Sequence, residues 1–245
     1  MTEQVLKTGV SEKSKFTAKV FGFMFIGLLI TALVALLTSF LLVKLAPEDI
    51  AAHKFPAPFA IVVIFASIAY LVCMIITQIK ASQNKMTGAL IPGIIATISM
   101  GILVSVVTIF LEWWIIASAF AITATTFAVM FLIGYFAKRD LSILALIGWG
   151  LLSGALIIGC LTGIFAIFLR GNAALWTIAS TSLLIDGALL IYVLLISVFD
   201  MQRIRKLSEA GYTSNGIALA MATSLYVDFI YIFLRVLALI ARSRN

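Results

Sequence analysis

Charge is what this chain has least of. Only 11% of its 245 residues are Asp, Glu, Lys or Arg, against 63% hydrophobic. Mean hydropathy is +1.20. No water-soluble domain of this length can hide so much apolar surface in a core, so the composition excludes a soluble globular fold and points to a polytopic membrane protein. Histidine is scarcer still. His53, the single one, lies in a loop, which excludes His-dependent metal sites and Ser-His triads built within one chain. The two cysteines, Cys73 and Cys160, fall in apolar runs, where a thiol is a small packing residue and says nothing of redox compartment. The prolines are Pro47, Pro56, Pro58 and Pro92, and no Pro- or Gly-rich linker marks a domain boundary. There is no phosphate-binding glycine loop and no cofactor fingerprint, so the expectation is a non-enzyme with no cofactor.

What the chain has is apolar length. A helix needs about 20 residues to cross roughly 30 Å of hydrocarbon. Runs of that size cover residues 20–43, 59–79, 90–111, 115–136, 143–169, 174–200 and 216–240. The expected fold is an all-α membrane protein: a cytoplasmic tail at 1–19, then seven transmembrane helices forming one bundle over 20–245. The first run lacks a small-residue cleavage pattern behind it and reads as a retained helix, not a signal peptide. Only the loops at 44–58 and 203–215 are long enough to carry structure of their own.

Basic residues orient the spans. With the N-terminus in the cytoplasm, that side collects Lys7, Lys13, Lys15, Lys19, Lys80, Lys85, Lys138, Arg139, Arg203, Arg205 and Lys206. The other side holds Lys44, Lys54, Arg170, Arg242 and Arg244, with Arg235 inside the last span. Eleven against five predicts a cytoplasmic N-terminus and an external C-terminus. The basic tail after the last span leaves a re-entrant final segment as the alternative. A net charge of +7 is thereby explained by topology and anionic lipid, not by nucleic acid. Trp113, Trp114 and Trp176 cluster at the predicted outer interface, where indole rings anchor depth.

Two small-residue patterns in the fifth span, Gly150 with Gly154 and Gly159 with Gly163, predict close helix packing. In the fourth span, Ser118, Thr123, Thr125 and Thr126 are expected to bond back to their own helix carbonyls. A polar lining is the other reading of these hydroxyls.

Against this background two carboxylates stand out. A charged Asp at a bilayer centre costs about 2.5 to 3.5 kcal/mol on insertion scales, so such a residue normally faces a partner, a cavity or an ion path. Asp200 lies eleven residues before Gly211 and Asp228 twelve after Gly216, on either side of a turn rich in breakers. If both arms are helical, the two carboxylates reach one level, roughly 17 Å from the turn. Two carboxylates held close at low dielectric cannot both ionise cheaply, so the pair is expected to share a proton and titrate as a unit. Ionised, they offer hard oxygens to Ca²⁺, which takes six to eight and would draw the rest from carbonyls or water. The competing structural reading pairs Asp200 with Arg203 at i+3 and Asp228 with Arg235 two turns on. Asp186, fourteen positions before Asp200, falls on nearly the same helix face about 21 Å toward the outside. With Glu112 at the outer end of the third span it marks a candidate cation route, or else a helix contact and a solvated loop charge.

Residues 117–142 read ASAFAITATTFAVMFLIGYFAKRDLS, with Thr-Ala-Thr-Thr-Phe at 123–127 and Lys-Arg-Asp-Leu-Ser at 138–142. The sixth span carries Phe199-Asp200-Met201-Gln202-Arg203-Ile204 and the seventh Leu225-Tyr226-Val227-Asp228-Phe229-Ile230. These segments resemble the Bax inhibitor-1, or transmembrane BAX inhibitor motif, family. The resemblance implies seven helices with the last near the centre. For bacterial members it implies a pH-sensitive calcium leak controlled by protonation of an Asp pair, whose positions carry over to Asp200 and Asp228. The chain departs from the family pattern at Met201, where Thr is usual, at Tyr231, where Asn is usual, and in the second span, which has no Arg or Glu. No gate residue carries over to that span.

Two other classes compete. An intramembrane aspartyl protease also places one Asp on each of two helices, but its second Asp follows Gly-x-Gly, whereas Leu225-Tyr226-Val227 precedes Asp228, and its Pro-Ala-Leu segment is missing. A non-conducting regulator that binds a membrane protease or a stress or cell-death protein is compatible with everything above. The partners expected from the residues themselves are the lipid bilayer, calcium ions and protons.

Overall fold

A computed structural model describes residues 2–51, 56–168 and 172–242, with side chains at 14–48, 50, 56, 58–162 and 184–242. Among these the chain forms eight helices: α1 (Thr2–Leu45), α2 (Pro47–Ala51), α3 (Ala57–Ser82), α4 (Met86–Thr108), α5 (Trp113–Phe136), α6 (Ser142–Phe168), α7 (Asn172–Glu209) and α8 (Asn215–Arg242). Every one except α2 is long and apolar enough to cross a membrane, so the seven expected spans are the seven long helices. His53, Lys54, Arg170 and Arg244, and the side chains of Lys7, Lys13, Gly163 and Trp176, lie outside the described residues.

Two helices extend well past their apolar runs, and α4 stops at Thr108, short of the expected end at 111. Nothing between Thr2 and Leu45 is a proline, and α1 runs through the stretch expected as a tail. The sixth apolar run ends at Asp200, yet α7 continues to Glu209, because the segment after it is made of good helix formers and Arg205 pairs with Glu209 one turn on at 3.7 Å. The expected loop at 203–215 therefore shrinks to the residues between Glu209 and Asn215. α8 is one unbroken helix of 28 residues, long and apolar enough to cross the membrane from end to end.

Outward-facing side chains are apolar, as a hydrocarbon solvent favours: Leu33 is 65% exposed, Leu36 70% and Phe65 69%. Polar side chains in the spans are turned onto their own backbone. Thr77 donates to Cys73 O at 2.7 Å, Thr123 to Ala119 O at 2.8 Å, Ser197 to Val193 O at 2.8 Å and Thr223 to Leu219 O at 2.8 Å.

The described chain divides into two compact units, Met1–Thr123 with Ile204–Asn245, and Ala124–Arg203. In the first, α8 is the core helix. It packs on α1, α3 and α4, and 44% of its most apolar window is buried, against 33% for the corresponding window of α4. One hydrogen-bonded cluster ties three helices at a single level. The hydroxyls of Thr31 in α1 and Tyr226 in α8 are 2.7 Å apart, and Thr31 also reaches the Thr97 carbonyl of α4 at 3.1 Å. Close by, a Cβ built on Gly101 of α4 would stand 2.8 Å from the Thr31 carbonyl, so α1 and α4 approach there only because the side chain is missing.

The turns at one end of this unit are built to a shared plan. α3 ends with Asn84 at φ 58° and α7 with Gly211 at φ 82°. Behind each, the amides bond back in the Schellman pattern: Lys85 to Lys80 and Asn84 to Ala81, Tyr212 to Leu207 and Gly211 to Ser208. Asn84 then caps the neighbouring helix, its Oδ1 accepting the Gly216 amide of α8 at 3.2 Å, while Ser214 Oγ accepts the Ile217 amide at 3.3 Å.

In the second unit the closest backbone approach is between α5 and α7 at Gly134. A Cβ there would collide with the Val198 carbonyl and stand 2.7 Å from Met201 Cβ. A latch lies just beyond. Gln202 of α7, 1% exposed, accepts the Leu141 amide on Oε1 at 2.8 Å and donates from Nε2 to the Arg139 carbonyl at 2.6 Å. It thereby fixes the α5–α6 loop to α7. By contrast Gly150 and Gly154 face open space, so the packing expected of that pair is not found. The α6 face that meets α7 is instead the one bearing Gly148, against Tyr192 at 3.3 Å, and Gly159, against Ile185 at 3.5 Å.

Two outcomes follow. Gly134→Ala should destabilise the protein by about 1 to 3 kcal/mol through overpacking against backbone, whereas Gly150→Ala should be neutral or stabilising by about 0.5 to 1 kcal/mol; thermal midpoints in detergent separate them. Gln202→Leu removes the partners of one part-buried amide and one part-buried carbonyl and should destabilise the α5–α6 loop by about 1 kcal/mol per bond. Limited trypsin digestion should then cut at Lys138 and Arg139 faster than in the parent chain.

Candidate functional site

Asp200 and Asp228 are the described carboxylates that fold into the interior, at 7% and 8% exposure. Each sits in a helix whose local sequence explains its burial. Asp228 lies on the core face of α8, within a run of buried residues from Leu225 to Phe233. One turn before it, Ser224 accepts a hydrogen bond from Gln78 Nε2 of α3 at 3.1 Å, so a neutral polar side chain joins α3 to α8 beside the carboxylate. One turn after it stands Tyr231, whose hydroxyl accepts from Arg235 Nε at 3.3 Å. The Arg235 guanidinium also lies over the Tyr231 ring, 5.2 Å from its centroid. Arg235 thus touches the residue that stands where the resemblance has Asn.

Asp200 lies on α7 between Ser197, fully buried, and the Gln202 latch. Val198 and Met201, its neighbours on the helix, are the residues that abut Gly134. The carboxylate therefore sits on α7 next to the residues that meet α5 at Gly134. Arg203, three residues on and exposed, acts on it electrostatically.

The other expected residues are placed separately. Asp186 is half-buried on α7, fourteen residues before Asp200 and so about 21 Å along the helix. Glu112 is exposed just before α5 and accepts a hydrogen bond from the Trp114 indole. Trp113 beside it is 79% exposed. Among the described residues no group of three His, Cys, Asp or Glu side chains comes together. Any cation held by the two aspartates must therefore complete its shell with neutral oxygens or water.

Sequence reasoning passed over Gln202, Gln78 and Gly134. Gln202 stands within a motif, and its signal is a long amide side chain beside Met201 and Ile204. Gln78 carries a weaker signal of the same kind. Gly134 has none beyond its residue type.

The chain matches the family described as inhibitor of apoptosis-promoting Bax1 over residues 13–245. It is 29% identical over 243 residues to the inner membrane protein YbhL of Escherichia coli strain K12, covering 94% of this chain and 92% of that protein. An uncharacterized protein of Borreliella burgdorferi is 28% identical over 249 residues, covering 95% and 94%. An uncharacterized membrane protein of Streptococcus pyogenes serotype M1 is 25% identical over 233 residues, covering 94% and 93%. With seven long apolar helices, two buried aspartates on its last two spans and a family match reaching from residue 13 to the final residue, this multi-pass membrane protein belongs to the Bax inhibitor-1 family.

Proposed function

We propose that the protein is a cation leak pathway of the membrane, passing Ca²⁺ under the control of a proton shared between Asp200 and Asp228. The observation that carries this reading is the burial of both carboxylates in a chain that has only ten acidic residues. Desolvating an ionised carboxylate is costly, so a buried Asp on each of two successive spans argues for a role that repays the cost. α7 and α8 are helical on both sides of the intervening turn, as a paired site requires.

Protonated, the pair has no net charge and little affinity for a cation. Ionised, it offers two hard ligands, and the two-carboxylate count makes binding weak and transient, which suits conduction better than storage. Gln78 bonded to Ser224 gives α3 a link to α8 that carries no charge, so proton control in this chain rests on the aspartates. The protein acts without covalent chemistry: the sequence before Asp228 lacks the glycines of an intramembrane aspartyl protease. The N-terminus faces the cytoplasm and the C-terminus the outside, on the balance of eleven basic residues against five.

Purified protein in liposomes should pass Ca²⁺ and cleave no membrane peptide. Asp200→Asn and Asp228→Asn should each shift the pH midpoint of flux, and the double variant should lose its pH response, because a coupled pair loses its joint titration when one member is neutralised. Asp186→Asn should leave the midpoint in place. Folded variants that all keep the parent midpoint would overturn the proposal, as would peptide cleavage lost in Asp228→Ala. For topology, a reporter after Asn245 should read as external and one inserted near Tyr212 as cytoplasmic; both on one side would mean that α8 does not cross.

A further inference from the structure

Away from the aspartates, three span ends of the first unit meet. α3 stops at Ser82, α4 starts at Met86 and α8 starts at Asn215. The turns that join or flank them enclose an open recess of about 460 Å³, whose lining includes Ser82, Asn84, Tyr212, Thr213, Ser214 and Ile217. The hydroxyls of Ser82, Thr213 and Ser214 and the amide of Asn84 contribute its polar lining. The nearby N-terminus of α8 is not what makes it a site, since the Gly216 and Ile217 amides are already taken by Asn84 and Ser214.

Cations flank the recess. Lys19 reaches from α1 to α8, its ammonium donating to Asn215 Oδ1 at 2.9 Å, which fixes a positive charge next to Ser214. Lys85 follows Asn84 in the turn and is exposed, and Lys80 lies in the last turn of α3. The acid on this rim, Glu209, is engaged by Arg205 at 3.7 Å. Within two turns of the recess, toward the middle of the spans, Ile79 of α3 is 51% exposed and Ile91 of α4 is 65% exposed.

Polar donors at the depth of the span ends, fixed positive charge beside them and bare aliphatic surface below are the chemistry of a phosphodiester headgroup with its acyl chains. We infer that this recess binds the headgroup of an anionic phospholipid, with Lys19 and Lys85 facing the phosphate and the chains lying against α3 and α4. Basic pockets between transmembrane helices recognise lipid headgroups in this way. A free phosphate would use the polar groups but gain nothing from Ile79 and Ile91, which is why the lipid is the favoured occupant.

The full-length protein, reconstituted into nanodiscs of phosphatidylcholine and phosphatidylglycerol and then released for native mass spectrometry, should retain phosphatidylglycerol beyond its bulk share. Lys19→Gln and Lys85→Gln should each weaken retention about fivefold. Lys44→Gln, at the other end of α1 with its ammonium over the Phe40 ring, should not. Excess inorganic phosphate should leave most of the lipid bound. The proposal is overturned by retention at the bulk ratio, by an equal loss in Lys44→Gln, or by full displacement with phosphate, which would assign the recess to a soluble anion. If Lys19→Gln does not fold, Lys85→Gln, in an exposed turn, gives the same decision alone.

Discussion

A polar atom inside a bilayer has no water to turn to, and most of the structure follows from that. Each unsatisfied group costs several kcal/mol in hydrocarbon, so donors and acceptors must be paired within the chain. Threonines and serines fold back on their own helices. Tyr226, too long to do so, is met by Thr31, and the bond that satisfies it also fastens α1 to α8. Gln202 and Asn84 serve backbone groups exposed where helices end. Pairing and packing are therefore the same contacts.

Much of this was legible in the sequence because hydrophobic length is a one-dimensional property. Seven runs predicted seven helices, and their ends were displaced most where polar helix formers carried the helix onward, as in α1 and after Asp200 in α7. Asp200 and Asp228 were legible for the same reason, since a charge within an apolar run needs no neighbour to be conspicuous. Contacts between helices were not. Spacing picked out Gly150 and Gly154, which face open space, and passed over Gly134 and Gly101, which do not. A glycine's importance depends on which atom stands opposite, and no local pattern records that. Gln202 belongs to the same class: its partners, Arg139 and Leu141, are some sixty residues away.

The latch also gives the family motifs a physical connection. Gln202 joins the Lys-Arg-Asp-Leu-Ser segment to the one containing Asp200, and Gly134, from the motif-bearing fourth span, abuts the residues around that carboxylate. Two of the segments that carry the resemblance, 117–142 and 199–204, thus meet next to Asp200. Around Asp228 a neutral clasp from Gln78 and a Tyr231 engaged by Arg235 stand in its neighbourhood.

The central claim is that the two aspartates act as one site, and calcium-dependent thermal stability tests it without reference to flux. A ligand that binds only the folded state raises stability in proportion to its occupancy. The parent chain, Asp200→Asn, Asp228→Asn and the double variant form a double-mutant cycle. A shared site predicts that either single change removes nearly all of the calcium-induced rise in melting temperature and that the second removes little more. Two single variants that each keep a substantial rise, with losses that add up to that of the double variant, would mean independent carboxylates and would contradict the account.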